Sequence, residues 1–281
     1  MPSILVTGAG RGIGRSIVEH LATRGWDVIA GVRNERDAGG LTALNPQRIS
    51  SVILDVTDAA HIAALNESLP DRLDGIVNNA GVVVSGPIET VAPDDWRKLL
   101  EVNVIGQLAV TQAVLPRLRR SRGRVVFISS VNGRLSIPLV GPYCASKFAL
   151  EAAADAMRME LRPWHIGVAL VEPAQTDTDM WRTAGDMVLQ IEADMSPEHR
   201  ELYAAHIAGM KKFVPTARKM ASPTTKVVAV VEQALTVRRP KPRYVVALLP
   251  KVQAAVVPNL PTALRDRIMT MLVGLPRRPR A

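Results

Sequence analysis

An α/β fold with one doubly wound, seven-stranded parallel sheet and helices on both faces is what this sequence predicts. Three observations point to it. Short β-branched runs alternate with amphipathic helical stretches, the pattern that builds βαβ units. Ala, Val, Leu and Ile dominate while aromatics make up only 4%, as expected where parallel strands lie under helices on both sides. A chain of 281 residues with 47% hydrophobic content is long enough to bury a sizeable core in one large domain.

The strands are expected at Ser3–Thr7, Asp27–Val32, Ser51–Asp55, Gly75–Asn78, Arg124–Ser129, Ile166–Glu172 and Arg243–Val246. Between them Ile13–Arg24, Asp58–Leu69, Asp94–Arg119, Tyr143–Leu161 and Thr224–Leu235 carry the 3.6-residue apolar period of helices packed on a sheet. Their ends are marked. Gly25 follows the first helix as a stop, Pro93 precedes Asp94 and Asp95 in a first turn that favours negative charge, and Ser222-Pro223 reads as a cap followed by a first helical residue. From Asp177 to Ala221 the alternation stops and a helix-prone stretch rich in Met180, Trp181, Met187, Leu189, Met195, Met210 and Phe213 intervenes. It reads as an insertion, 177–221, covering the sheet's edge within a catalytic domain 1–250. The Pro-punctuated stretch 251–281 reads as a surface tail.

The single cysteine, Cys144, cannot form an internal disulfide, and the five histidines lack metal-ligand spacing. No metal is expected. An apolar strand pattern begins at Ser3, where a leader would need a charged and then a hydrophobic segment, so a cytoplasmic location is expected. No apolar run is read as reaching the about 20 residues needed to cross a bilayer; the best late candidate, Tyr244–Val257, is broken by Pro250 and Lys251. The formal net charge is +9, but it is spread along the chain without a nucleic-acid-reading motif, so no nucleic acid is expected. The densest basic clusters, Arg238–Arg243 and Arg277–Arg280, come late and leave room for a weak contact of the tail with anionic lipid.

After the first strand comes Thr7-Gly8-Ala9-Gly10-Arg11-Gly12-Ile13-Gly14, and a helix follows at once. A pyrophosphate needs this context: glycines let the backbone approach, while the helix's N-terminal amides and dipole attract the anion. The spacing is TGxxxGxG; the GxGxxG dinucleotide fingerprint fails at Ile13 and Arg15, and GxxGxxG fails at Arg11. On this motif the chain resembles the short-chain dehydrogenase/reductase family, of the smaller, one-domain kind. The resemblance implies a Rossmann-like fold, a nicotinamide cofactor and hydride transfer.

The second strand ends Ala30-Gly31-Val32-Arg33, without the carboxylate that would hold the ribose hydroxyls of NAD and repel the extra phosphate of NADP. Arg33 offers a fork of donors to that phosphate, and Arg11 adds a second charge. Basic residues at both places go with NADP(H) in the resembled family. Asp55-Val56 matches its aspartate beside the adenine, and Asn78-Asn79-Ala80-Gly81 matches its NNAG segment. The expected cofactor-binding set is Thr7, Gly8, Arg11, Gly12, Ile13, Gly14, Arg33, Asp55, Val56, Asn79, Ala80, Gly81, Pro173, Thr176 and Thr178, with Tyr143 and Lys147.

Tyr143 and Lys147 are four apart at the start of a helical pattern, so one turn puts both on one face. A phenol is a poor proton shuttle near neutrality unless nearby positive charge favours its anion, and Lys147 is expected to supply it. Ser129-Ser130 ends the fifth strand, at the edge that faces the ligand crevice. The family's serine lies thirteen residues before its tyrosine, which selects Ser130 to bond the substrate oxygen. Asn103 matches the family's fourth catalytic residue, thought to hold a water linked to the lysine; an Asn inside a helix otherwise calls for a specific bonding role. Where the family usually has Pro-Gly after the sixth strand, this chain has Pro173-Ala174, and Ala tolerates fewer backbone angles.

The stretch Tyr143-Cys144-Ala145-Ser146-Lys147 with Val171-Glu172-Pro173 looks most like the steroid and retinoid branch of the family. Apolar walls at Leu135–Pro142, Val82–Val84 and the insertion suit a hydrophobic alcohol or ketone. The resemblance also implies a homodimer or homotetramer through the helices Asp94–Arg119 and Tyr143–Leu161. A non-catalytic NADP(H)-sensing regulator on the same fold is the alternative; loss of Tyr143 or Lys147 would favour it, and both are present.

Overall fold

Alternation along the first strand decides the layers. In β1 (Ser3–Thr7), Ile4 and Val6 join one hydrophobic cluster while Leu5 joins the other, because successive strand side chains point to opposite faces. The structure, a computed structural model, describes residues 1–275. Its strands are completed by β2 (Asp27–Val32), β3 (Ile49–Ile53), β4 (Gly75–Asn78), β5 (Arg124–Ile128), β6 (Gly167–Glu172) and β7 (Arg243–Val245). They pair in the order β3-β2-β1-β4-β5-β6-β7, every neighbour parallel.

One face is covered by α1 (Gly12–Thr23), α2 (Glu35–Thr42) and α11 (Thr224–Thr236), which bury Ile17, Leu21, Leu41, Val227 and Val231. The other is covered by α3 (Ala59–Ser68), α5 (Gly106–Ser121) and α6 (Gly141–Glu160), which bury Leu65, Val110, Val114, Leu118 and Leu150 around Phe127. The chain reverses its winding between β1 and β4. In open parallel sheets the ligand crevice lies beyond the carboxyl ends of the strands at that point.

Several boundaries differ from the expectation. The third strand begins at Ile49, not Ser51, because buried Ile49 pairs with Val28 and the run ends at Ile53. Helix α2 was not anticipated. Gly39-Gly40 weaken its propensity, but Asn34 caps it by accepting from the Asp37 amide at 2.9 Å, and Ala38 and Leu41 are buried. The expected single helix from Asp94 to Arg119 is α4 (Pro93–Leu100), a π-helical turn (Glu101–Ile105) and α5. By length and composition this Pro93–Ser121 stretch could cross a membrane, which corrects the expectation that no such run exists. Its buried residues Val110, Val114 and Leu118 pack into the core, and core helices of globular proteins pass the same test.

The insertion forms α7 (Asp179–Arg182), α8 (Ala184–Asp194), α9 (Pro197–Leu202) and α10 (Ala204–Lys219). These build a third cluster, with Val188, Met195, Ile207, Met210 and Val214 closing on Leu139. The stretch after Pro250 corrects the surface-tail expectation in part. It folds into the end of α12 (Leu248–Val256) and into α13 (Thr262–Leu272), and Val273, 1% exposed, completes the third cluster. Its physical reason is an apolar spacing that the prolines obscure. The basic run Arg277–Arg280 lies outside the described residues.

Candidate active site

The glycine turn is built for close approach. Gly8 and Gly12 have φ of +62° and +57°, a region that favours glycine. A Cβ on Gly14 would sit 2.3 Å from the Gly8 carbonyl oxygen and 2.5 Å from Asn79 Nδ2. Asn79 fixes the turn by donating from Nδ2 to the carbonyls of Thr7 (3.0 Å) and Gly8 (3.1 Å), while Thr7 Oγ1 accepts from the amides of Asn79 and Ala80. The result is a backbone cradle at the N-terminus of α1, with Ile13 half-buried beside it. A pyrophosphate fits such a cradle, because nothing larger than hydrogen projects from these glycines and unpaired helix amides face outward.

Arg11, the residue that precedes α1, and Arg33, just after β2, are both exposed. Asp55 lies near Arg33; its Oδ1 accepts from the amide and hydroxyl of Thr57 at 2.9 and 2.8 Å, and the amide bond above all holds this carboxyl below its usual range. Val56 is buried, and a Cβ on Gly106 would meet its carbonyl oxygen at 2.4 Å, so this loop is pressed onto α5.

Across the crevice, α6 starts at Gly141 with Pro142 in its first turn, which places Tyr143 and Lys147 on successive turns. Lys147 is 4% exposed, donates to the Ile128 carbonyl at 2.9 Å, and stands 5.8 Å from the centre of the Tyr143 ring. Ser130 reaches the Tyr143 phenol and takes the Asn132 amide at 3.1 Å, capping a short turn after β5. The electrostatics differ from the sequence reading. Burial pushes the phenol up to about 12, with the Ser130 hydrogen bond opposing. Burial also pushes Lys147 down to about 8, opposed by the charge of Glu151. Desolvation is the largest influence on the phenol, which holds its proton.

Asn103 is fully buried on the π-helical turn. Its Oδ1 accepts from the Val82 amide (2.8 Å), and its Nδ2 donates to the Val82 carbonyl (2.9 Å) and to Ser146 Oγ (3.0 Å). It therefore clamps the loop after β4 to α6. Gly81 lies under this clamp, where a Cβ would be 3.4 Å from Asn103 Oδ1 and 3.9 Å from Lys147 Nζ. Sequence reasoning missed two partners: Ser146, inside the Tyr-Lys spacing, and Gln107, whose Nε2 donates to the Ala80 carbonyl at 2.6 Å. One turn of helix separates Gln107 from Asn103, a signal that was present. Cys144 is buried and its thiol is raised by burial, which suits packing.

After β6, buried Pro173 accepts the Val131 amide at 3.1 Å, tying this segment to the Ser130 turn. Thr176 is buried and donates to the Ala174 carbonyl at 3.3 Å, so its hydroxyl is committed to the chain itself. Thr178 faces the cradle: its Cγ2 lies 3.7 Å from where a Gly12 Cβ would be. Ala174 is not among the residues with positive φ, so alanine carries no strain where the resemblance led to glycine. Leu139 does have positive φ, 63°; its carbonyl takes the Gly86 amide at 2.7 Å and its side chain is held in the third cluster. Of the apolar wall residues, Val188, Met195 and Met210 are spent on packing the cover, whereas Val82, Val83, Val84, Trp181 and Met187 stay half-buried.

Comparison with known proteins gives a consistent set of likenesses. A family model described as short chain dehydrogenase matches residues 2–189. Human retinol dehydrogenase 16 is 34% identical over 279 residues, covering 95% of this chain and 87% of that protein. The NADPH-dependent 3-dehydrocapnine reductase of Ornithobacterium rhinotracheale is 32% identical over 274 residues, covering 94% of each. Among solved structures, a short chain dehydrogenase from Burkholderia cenocepacia in complex with NADP superimposes with a TM-score of 0.75 at 25% identity, covering 96% of this chain and 98% of that one.

Proposed function

Because the chain belongs to the short chain dehydrogenase family, we propose that it is an oxidoreductase that moves a hydride between NADP(H) and a hydrophobic alcohol or ketone, steroid-, retinoid- or lipid-like. The observation that carries this reading is the meeting of Ser130 and Tyr143 on one wall of the crevice, with buried Lys147 beside them, opposite the glycine cradle.

Gly8, Gly12, Ile13 and Gly14 would hold the pyrophosphate, Arg11 and Arg33 the additional phosphate, Asp55 and Val56 the adenine side, and Asn79, Ala80, Gly81, Pro173, Thr176 and Thr178 the nicotinamide side. The bound nicotinamide supplies or accepts the hydride. In the reducing direction Ser130 donates a hydrogen bond to the carbonyl oxygen, and the Tyr143 phenol gives its proton to that oxygen as negative charge develops. The Lys147 ammonium stabilises the phenolate left behind. Asn103 holds the 80–82 loop so that the cofactor and α6 keep their spacing. The half-buried apolar residues Val82–Val84, Trp181 and Met187 favour a substrate recognised by burial.

Two features support the assembly and partner readings. Ile105 and Phe148 are exposed on the π-turn and α6, which suits a homodimer seam along these helices. Val252 and Val256 on α12 and Leu264 and Ile268 on α13 are exposed, with exposed Lys251 and Arg267 next to them in sequence, a combination of apolar and basic residues that suits weak contact with an anionic membrane surface.

The test is a panel of steroid, retinoid and aliphatic ketones and aldehydes, with NADPH oxidation read by absorbance. Tyr143→Phe is expected to lower kcat by at least about a hundredfold while NADPH binding stays near wild type. Undiminished turnover would remove the catalytic assignment. If the wild type binds NADPH but turns over nothing across the panel, the sensing alternative gains.

A further inference from the structure

One helical turn beyond Lys147 lies a cluster of buried charges to which the proposed hydride transfer gives no role. Glu151, one helical turn beyond Lys147 on α6, is 6% exposed; Glu172, the last residue of β6, is fully buried. Arg243, at the start of β7, reaches both, with Nε 2.8 Å from Glu151 Oε2 and 3.5 Å from Glu172 Oε1. Arg134 stands 3.7 Å from Glu172 Oε2. Asp155 and its neighbour Arg158 complete the charged groups from α6, Asp155 lying 2.6 Å from the second arm of Arg243 and 3.1 Å from Arg158. Just after β5 the Ser129 hydroxyl faces Glu151. The close approach requires Gly133, where a Cβ would be 2.9 Å from both Glu151 Cγ and Ser129 Oγ.

The polar groups here are incompletely matched. Ser129 Oγ, Glu151 Oε1 and both oxygens of Glu172 close no hydrogen bond of good geometry. Glu151 and Glu172 both crowd Arg243 in a desolvated site, with Arg134 farther off beside Glu172. Burial raises the carboxyl of each above its usual range, which favours one proton held between the pair. Arg243 decides its location. The shorter contact favours the anion on Glu151, and the proton goes preferentially to Glu172, whose carboxyl burial and the Glu151 charge push up to about 7.

We propose that Glu151 is a positioning residue for Lys147: its carboxylate, kept ionised by Arg243 while Glu172 holds the proton, maintains Lys147 as an ammonium aimed at the crevice. The inference rests on the reading of Tyr143 and Lys147 as the proton-transfer pair. Glu151 touches neither substrate nor cofactor and acts through the lysine's charge. Glu172 makes the arrangement sensitive to pH, because its ionisation adds a second negative charge behind the lysine.

The experiment compares Glu151→Gln, Glu151→Asp and Glu172→Gln with the wild type. It reads the pH profile of kcat for the best carbonyl of the panel, NADPH affinity by fluorescence, and thermal melting. Glu151→Gln is expected to move the alkaline midpoint of kcat down by about one pH unit, with NADPH affinity within about twofold of wild type. Glu151→Asp keeps the charge and holds the midpoint nearer wild type; Glu172→Gln moves it less than Glu151→Gln does. A folded, NADPH-binding Glu151→Gln whose profile superimposes on wild type overturns the proposal. Should that variant not fold, infrared spectroscopy of the wild type decides: a protonated-carboxyl stretch that fades as pH rises through neutrality supports the shared proton, and absence of such a band overturns it. Tyr143→Phe separates the two readings. If it stays active, the proton-transfer pair itself is wrong; if it is inactive while Glu151→Gln is unshifted, only the role of Glu151 falls.

Discussion

Glu172 carries a stability consequence that can be worked out in sign. Its carboxyl is raised in the folded protein to about 7 from a usual 4.5, so the native state binds the proton more tightly than the unfolded chain does. That contribution is fully present below about pH 4.5 and is lost as pH rises through about 7. The loss is on the order of 3 kcal/mol at most, from about 1.4 kcal/mol per unit. Thermal melting of the wild type should therefore fall across this window, and Glu172→Gln should flatten the fall; parallel curves for the two proteins would refute the assignment. Arg33 bears on cofactor choice. Replacing it with Asp should weaken NADPH at least about tenfold more than NADH, since only the former loses a charge-assisted phosphate contact and gains repulsion. Titrations with both nucleotides check this, and equal losses would count against the NADP(H) reading.

At the scale of elements, the π-helical turn has the largest effect on the crevice. A wider turn inserted between α4 and α5 carries Asn103 inward to Val82 and Ser146, and such turns commonly mark functional sites. Asn103→Ala would leave the Val82 amide and carbonyl without partners, a cost of about 1–3 kcal/mol. It should lower both melting temperature and kcat, whereas a variant at exposed Lys98 should change neither. The glycine turn gives a second test. Gly14→Ala must displace the Gly8 carbonyl or Asn79, so NADPH affinity should drop at least about tenfold with the fold intact by circular dichroism. Much of this was legible in the sequence. The strand positions, the Thr7–Gly14 turn, and the Tyr143–Lys147 spacing follow from periodicity and local context, which act over a few residues. Helix α2 was not legible because Gly39-Gly40 mask a helix that burial of Leu41 stabilises. The Glu151–Glu172–Arg243 cluster was not legible either. Its members come from α6, β6 and β7, and only the sheet order brings them together.

For the whole molecule, three hydrophobic clusters divide the work. Two sandwich the sheet, and the third holds the cover, the Leu139 loop and the chain's last described turn in one body. The exposed apolar residues of α12 and α13 lie on that same late segment. Co-sedimentation with phosphatidylserine-containing vesicles should exceed that with phosphatidylcholine alone and should weaken as salt is raised, because the basic residues are screened. Equal recovery with both lipids would remove the electrostatic contact. The late segment also meets α10 at a point where no side chain fits: a Cβ on Gly209 would lie 2.4 Å from the Val273 carbonyl oxygen and 3.1 Å from that of Gly274. One added methyl at position 209 would thus act as a wedge, prising the Val273–Gly274 turn from α10 and loosening the third cluster that both help to close.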